Sequence, residues 1–389
     1  MEQLNKQPFG LLPEALVEEL LGQCGTVAKE LIQNLHDVRG NKKEFQAGLE
    51  KLGLLKRSMD LPAGNDIPTT CAVDGSYIVE KLMATDLVAC AAVAIEGLTP
   101  PEEKRYWPRP HHIKPFIEGI KHNPDTTIIT QGIVWMMEVT LASQAPHDIV
   151  FIDGSIINPF GKVNAALSKL KDNKELQKAR LGKEIMDRFE EFLDSYYIML
   201  SNTRTDKLWV GIPKHTSLSE LGEHPSLNWP KHYDDRAILS TVMDADHYIH
   251  PIQHKSAASE HWHITTEVFG KPKHLEEKVQ KCIRAIRKLH ITYYKPKPFL
   301  PALRIEIPAS LASNSAQLKM LLRGVEFQTQ TPGILEPYPL YMADRMVKNL
   351  SAAIPAFRQT VTNSMALETE GDLTDLLLNM NSYRTENGK

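Results

Sequence analysis

The sequence predicts an α/β fold with a mixed sheet, flanking helices and an N-terminal helical extension. Three observations predict it. Three strand-like apolar segments come first as a group. Helical and strand-like segments then alternate. Two of the strand-like segments close on the same tripeptide, Asp-Gly-Ser.

Taken in order, residues 11–35 read as an amphipathic helix. Pro13 stands near its start, and Leu16, Leu20, Val27, Leu31 and Leu35 recur at helical intervals. A second helix is expected over 41–57, and the Pro, Gly, Asn and Asp of 61–68 mark a linker. Residues 69–73 form a short apolar strand ending at Asp74. Gly75-Ser76 permits a tight turn, 77–83 reads as the returning strand and 87–97 as a third, so an antiparallel meander is expected. Residues 99–115, rich in proline and charge, read as an irregular insertion. A helix over 127–144 carries Glu138 among Ile128, Val134, Trp135, Met137 and Leu141. The strand 148–152 ends at Asp153, a helix covers 179–200, and the strand 207–212 leads to Lys214. The His-rich stretch 215–263 is irregular apart from a short helix at 236–242. A helix at 276–289, strands at 291–294 and 303–307 and a last helix at 338–353 complete the pattern. The expected division is a helical region (1–60), a main domain (65–355) with insertions near 99–125 and 215–263, and a tail (356–389).

Composition narrows the function. With 42% hydrophobic and 24% charged residues among 389, the chain buries a large core and needs no disulfide scaffold. A net charge of −3 is not that of a protein that coats duplex DNA, but an acidic centre inside a basic channel gives the same sum. Cys24, Cys71, Cys90 and Cys282 form no CxxC pair, which argues against a zinc ribbon. Scattered cysteines and the lack of a signal-peptide pattern fit a cytoplasmic protein with reduced thiols. No apolar run reaches the roughly 18 residues of a membrane span.

The element order is that of a ribonuclease-H-like fold, and the acids fall where that fold needs them. Asp74 lies on the first strand, Glu138 on the helix after the meander, Asp153 at the end of the fourth strand and Asp344 on the last helix. Hard Mn²⁺ or Mg²⁺ ions take carboxylate oxygens and keep water and phosphate as further ligands. Two such ions about 3.5–4 Å apart activate water and stabilise the leaving oxygen of a phosphodiester. One Asp-Gly-Ser is a common turn sequence. Two of them, at 74 and 153 and each closing an apolar strand, carry more weight.

Five stretches then match a known family. Ala72-Val73-Asp74-Gly75-Ser76, Val150-Phe151-Ile152-Asp153-Gly154-Ser155, Val210-Gly211-Ile212-Pro213-Lys214, Leu303-Arg304-Ile305-Glu306-Ile307-Pro308 and Tyr338-Pro339-Leu340-Tyr341-Met342-Ala343-Asp344-Arg345 resemble, in order and spacing, the motifs of NurA nucleases over roughly 65–355. The resemblance implies a Mn²⁺- or Mg²⁺-dependent nuclease that degrades DNA 5′→3′ and cuts single strands. It also implies a homodimer with a central channel, fed by a hexameric HerA-type ATPase, in break repair or anti-phage defence. By position, Asp74, Glu138 and Asp153 match its metal-binding acids. Asp344 matches a last-helix position that is often His or Asp, and Lys214 matches a strand-end lysine suited to neutralising a phosphate.

Other residues read two ways. Asp235 either faces the site or caps a helix. His247, His250, His254, His261 and His263 lack a nearby cysteine or a clear helical HxxxH, so they read as solvated or DNA-facing before they read as zinc ligands. Tyr293-Tyr294-Lys295-Pro296-Lys297 has the composition of a base-stacking surface and equally of an ordinary strand end. Trp107 and Arg109 read chiefly as loop residues. The apolar face of the N-terminal helices suits a dimer or ATPase contact, or packing on the chain's own core. The competing functions are a non-catalytic nuclease-like binding module and an actin-like phosphotransferase. The latter lacks a glycine-rich adenine-binding motif and leaves Glu138 unused, and the chain has no GxxxxGK[ST] sequence.

Overall fold

The computed structural model describes residues 12–62, 64, 66–83, 85–202, 204, 206–214, 219–230, 233–259 and 261–368, with positions 374, 378 and 380 beyond. The expected helix start at 11, His215 at the head of the His-rich stretch, and most of the tail after 368 lie outside the described residues.

The helices are α1 (Glu14–Gly40), α2 (Lys42–Lys51), α3 (Thr126–Gln144), α4 (Asn158–Asp172), α5 (Lys174–Lys178), α6 (Arg180–Ser201), α7 (Asp235–Val242), α8 (Lys255–Ser259), α9 (Lys273–Ile286), α10 (Ala309–Ala312), α11 (Ser315–Gln328) and α12 (Tyr338–Glu368). The strands are β1 (Leu55–Arg57), β2 (Thr70–Lys81), β3 (Thr85–Glu96), β4 (His111–Lys121), β5 (Ile149–Asp153), β6 (Leu208–Ile212), β7 (His247–Ile249), β8 (Ile252–Gln253), β9 (His290–Lys295) and β10 (Leu303–Ile307). They form one mixed sheet in the order β1-β7-β9-β10-β6-β5-β2-β3-β4, with β8 beside β9. Only β2–β5 and β5–β6 are parallel; the other pairs are antiparallel. No helix among the described residues is long and apolar enough to cross a membrane.

The meander exists, but its strands are not the expected ones. β2 runs unbroken through Asp74, paired with β3 from Cys71↔Glu96 to Lys81↔Asp86. The expected turn at Gly75-Ser76 is therefore absent, and the chain reverses between Lys81 and Thr85. The third strand, β4, lies inside the expected irregular insertion at 99–125 and pairs with β3 from Thr85↔Lys121 to Ile95↔His111. Proline misled the reading. Pro115 is tolerated because β4 is an edge strand, where a missing N–H breaks no inner ladder.

The sheet is covered on both faces, and side-chain alternation decides which residue looks where. Cys71, Val73, Val150 and Ile152 pack into the core with α3, α4, α6 and α9. Ala72, Ile149 and Phe151 pack into a second core with α11 and Leu340 of α12. By this alternation Asp74 and Asp153 face the α12 side, and Gly75 faces α3. α12 continues to Glu368, fifteen residues past its expected end at 353, so the expected tail starts inside it. Leu340, Ala343, Val347 and Ile354 recur at helical spacing and are buried. Ala343 and Val347 pack on Val93 and Ile95 of β3. α1 behaves differently. Leu16, Leu20, Val27 and Leu31 are 44–58% exposed, whereas Val38 is buried in a third core with Phe45 and Leu49 of α2.

Candidate metal centre

Strand register builds the centre. β2 and β5 are parallel with Val73 opposite Ile152, so Asp74 and Asp153 come next on adjacent strands and face the same side. β5 and β6 are parallel with Asp153 opposite Ile212, which sets Lys214 two residues beyond. α12 lies over this end of the sheet and delivers Asp344. One carboxylate oxygen from each of Asp74, Asp153 and Asp344 lies within 4.8 Å of the other two. Among the described residues this is the one such group of potential ligands. No such group is found among the described residues of the His-rich stretch.

Glu138 arrives from the opposite face. Gly75 makes this possible: a Cβ there would stand 2.4 Å from Glu138 Oε1 and 2.4 Å from Val134 Cγ1. The glycine after Asp74 therefore makes room for a helix and its carboxylate, not for a turn. Glu138 is 4% exposed, and its Oε2 has no hydrogen-bond partner. A buried carboxylate oxygen with no donor is costly unless a cation or proton attends it. The glycine after Asp153 does turn the chain, with φ +93° and open space around it.

Charge is left unbalanced here by design of the fold. Burial, then the neighbouring Asp153, raises the Asp74 carboxyl to about 7, against the pull of the Gly75 N–H and Lys214. The Gly75 N–H donates to Asp74 Oδ1 at 2.8 Å. Burial, then Asp74 and Asp153, raises Glu138 well above the usual carboxylate range. Burial also raises Asp153, opposed by its ion pair with Lys214. Lys214 Nζ lies 2.8 Å from Asp153 Oδ2, 3.2 Å from Glu336 Oε2 and 3.6 Å from Asp344 Oδ1. Burial alone pulls the lysine down, but these acids outweigh it and hold it charged. On the outer side, Lys348 Nζ reaches Asp344 Oδ2 at 2.7 Å. The donor set is oxygen-rich, convergent and under mutual repulsion, which fits a hard divalent ion.

Asp235 is not part of this centre. Asp234 is the α7 cap, accepting from the Ala237 N–H at 2.7 Å. Asp235 is buried and accepts from the N–H groups of Leu221 and Gly222 at 2.8 and 2.9 Å, tying the 219–222 turn to α7. The Tyr293–Lys297 stretch is no stacking surface either. Tyr293 and Tyr294 are fully buried, and Lys295 donates to the carbonyls of Ser240 and Met243. Trp107 packs edge-on against the His147 ring with centroids 4.8 Å apart.

Sequence reasoning assigned no role to a second buried acid group beside the first. Glu306 on β10 accepts from Ser155 Oγ at 2.6 Å and the Ile156 N–H at 3.0 Å, and so holds the turn after Asp153. That turn also presses on Gly211, where a Cβ would stand 2.8 Å from the Ile156 nitrogen. Behind Glu306, Arg304 forks onto Glu220 and lies 3.4 Å from Glu306 Oε1. Glu306 faces His254 Nε2 at 3.5 Å. Burial would raise Glu306, but His254, Arg304 and Ser155 together hold it below its usual value. The one sequence signal was Leu303-Arg304-Ile305-Glu306-Ile307 itself, a charge pair two residues apart in an otherwise apolar strand.

Residues 68–349 match the family described as the NurA domain. The chain belongs to the NurA family. Its fold is shared with the NurA nuclease from Sulfolobus solfataricus, at 14% identity and a TM-score of 0.57, with 92% of this chain and 99% of that one covered. A structure of NurA with manganese matches at 14% identity and a TM-score of 0.50, covering 93% and 99%. None of the curated proteins matches the chain.

Proposed function

We propose that this NurA-family chain is a divalent-metal-dependent DNA nuclease built on a ribonuclease-H-like sheet. The observation that carries the reading is the Asp74–Asp153–Asp344 group, with one oxygen from each within 4.8 Å of the others. The manganese structure of a NurA protein supports the choice of Mn²⁺ or Mg²⁺. In this reading Asp74, Asp153 and Asp344 hold the ion and Glu138 completes a four-carboxylate, two-ion centre. When bound, the ions supply Lewis-acid activation of the phosphodiester and of the attacking water. Lys214 neutralises charge on the scissile phosphate. Gly154, open on its outer side, admits the backbone of the strand being cut. Ser155 and Ile156, clamped on Glu306, keep Asp153 in place through the reaction.

The substrate is DNA, degraded 5′→3′ from ends, with endonucleolytic cutting of single strands. The partner is a hexameric HerA-type ATPase that drives DNA into the channel of a homodimer, in the cytoplasm, for break repair or anti-phage defence. The exposed leucines of α1 suit the contact with a second copy or with the ATPase. Removal of residues 1–60 should therefore abolish one of those assemblies. A folded truncated chain that is still a dimer and still binds its ATPase would remove that assignment.

The deciding experiment is cleavage of 5′-labelled single- and double-stranded DNA with Mn²⁺, Mg²⁺ or EDTA. Metal-dependent cutting by the wild type, lost in folded Asp74→Ala and Asp153→Ala, supports the centre. Equal cutting by the variants, or an inert wild type even with its ATPase, would return the chain to the class of binding modules.

A further inference from the structure

The loop before α12 carries an acid that neither the motif pattern nor the proposed ligand set uses. Glu336 stands at the mouth of the centre, 18% exposed at its side chain, with Oε2 3.2 Å from Lys214 Nζ. It precedes Pro337, whose ring restricts the residue before it to extended backbone. Pro337 is in turn tied into α12, since its carbonyl accepts from the Leu340 N–H at 3.0 Å. The Glu336 carboxylate is thus presented from the segment that leads directly into α12, the helix that carries Asp344.

Lys214 touches three carboxylates, and they are not equivalent. Asp153 at 2.8 Å and Asp344 at 3.6 Å belong to the group whose oxygens converge within 4.8 Å. Glu336 does not. An ammonium and a divalent ion compete for the same oxygens of Asp153 and Asp344. A lysine held only by those two would oppose metal binding with its full charge. A lysine with a third partner outside the group keeps an ion pair while releasing both.

We propose that Glu336 is a positioning residue for Lys214, holding its ammonium at the edge of the centre so that Asp153 and Asp344 are free to take the metal. The inference rests on the metal-centre reading above. It separates two jobs that adjacent acids would otherwise confuse: three aspartates for the ion, one glutamate for the lysine. It gives Lys214 a partner outside the aspartate group at 3.2 Å, beside its 2.8 Å contact with Asp153.

The test is Mn²⁺ binding to the full-length protein, followed by the electron paramagnetic resonance of free Mn²⁺, with folding checked by thermal melts. The variants are Glu336→Gln, Lys214→Met, the double variant and Asp153→Ala. Glu336→Gln should weaken Mn²⁺ binding several-fold, because Lys214 then rests on Asp153 and Asp344 alone. Lys214→Met should bind Mn²⁺ more tightly than wild type. Adding Glu336→Gln to Lys214→Met should change nothing further. If Glu336→Gln weakens binding equally with and without Lys214, Glu336 acts on the ion directly and the proposal fails. Wild-type affinity in Glu336→Gln also overturns it. Asp153→Ala reports on the centre itself: unchanged Mn²⁺ binding there removes the underlying reading, whereas loss there beside an unaffected Glu336→Gln removes this inference alone.

Discussion

Two groups of acids meet at the turn over residues 154–156, and they handle charge in opposite ways. On one side Asp74, Asp153 and Asp344 converge with too few cations, with Glu138 buried behind Gly75, and burial and repulsion push Asp74 up to about 7 and raise Glu138 well above its usual range. On the other, Glu306 and Glu220 are matched by Arg304 and His254, and Glu306 is pulled below its ordinary value although it is buried. Both groups are carboxylates set into the fold. What differs is whether the partners are already present in the chain. A satisfied group holds structure, whereas a frustrated one stores an affinity for a cation that the chain does not itself supply.

The largest expected effect lies in the satisfied group. Arg304→Met leaves Glu220 and Glu306 buried without the guanidinium, with only His254 beside them, and such a broken pair costs about 3–5 kcal/mol. Denaturant unfolding of the two proteins measures this directly. A loss under about 1 kcal/mol would mean that the cluster is not what holds β10 and the 154–156 turn.

The frustrated group should respond with the opposite sign. Asp74→Asn keeps the shape and the acceptor for the Gly75 N–H but removes one repelling charge. Metal-dependent cleavage should fall more than about 100-fold, beyond the range seen when only a partner of a metal ligand is lost. Stability in EDTA at pH 8 should rise at the same time, as strained functional sites often show. A variant that loses both activity and stability would erase the distinction between the two groups.

Sequence showed one group and hid the other for a physical reason. Asp74 and Asp153 are visible because each ends a run of alternating or fully apolar residues, and a charge there breaks the pattern locally. Glu138 is visible as one acid in an apolar helix. Glu220 and His254 lie in the irregular 215–263 stretch, and their partner Arg304 is 84 and 50 residues away, so no local pattern marks them. Glu336 lies in the loop just before the last predicted helix and has meaning only through Lys214, far off in the chain. The mixed α/β sheet was likewise legible. The strand boundaries were not, because Gly75 and Pro115 carry turn-like signals whose real causes are close helix approach and an edge position.

The two Asp-Gly pairs sharpen the comparison at smaller magnitude. Gly75→Ala drives a Cβ into Glu138 and Val134, an overpacking that costs about 1–3 kcal/mol and displaces the acid from the centre. Gly154→Ala meets no atom and suffers only its left-handed backbone, at φ +93°, a cost of roughly 1–2 kcal/mol. Mn²⁺ binding should therefore weaken clearly in the first variant and little in the second. Equal weakening would place the fault in backbone strain rather than in the position of Glu138.

The smallest effect per step is the dependence on pH, and its sign separates the groups again. The Asp74 carboxyl is raised from about 4 in the unfolded chain to about 7 when folded. Between those values the folded protein binds a proton that the unfolded chain has lost, so stability without metal falls as pH rises, by at most about 1.4 kcal/mol per unit. Asp235, raised to about 6, adds to the same trend up to that pH. Glu306 works the other way: its folded value is depressed, so its stabilisation is present above the unfolded value and is lost only in acid. Saturating Mn²⁺ needs the Asp74 carboxylate, so binding should strengthen up to about tenfold per unit from pH 5 to 7 and then level. Melts from pH 5 to 8 should thus slope downward in EDTA and lose the Asp74 part of that slope in saturating Mn²⁺, where the folded and unfolded chains both hold this carboxylate ionised. The Asp74→Asn variant, which keeps Asp235, should lose most of the difference between the two slopes. Parallel curves for the wild type would mean that metal and proton do not share the Asp74 oxygens, and the frustrated group would then have to be read as structural like its neighbour.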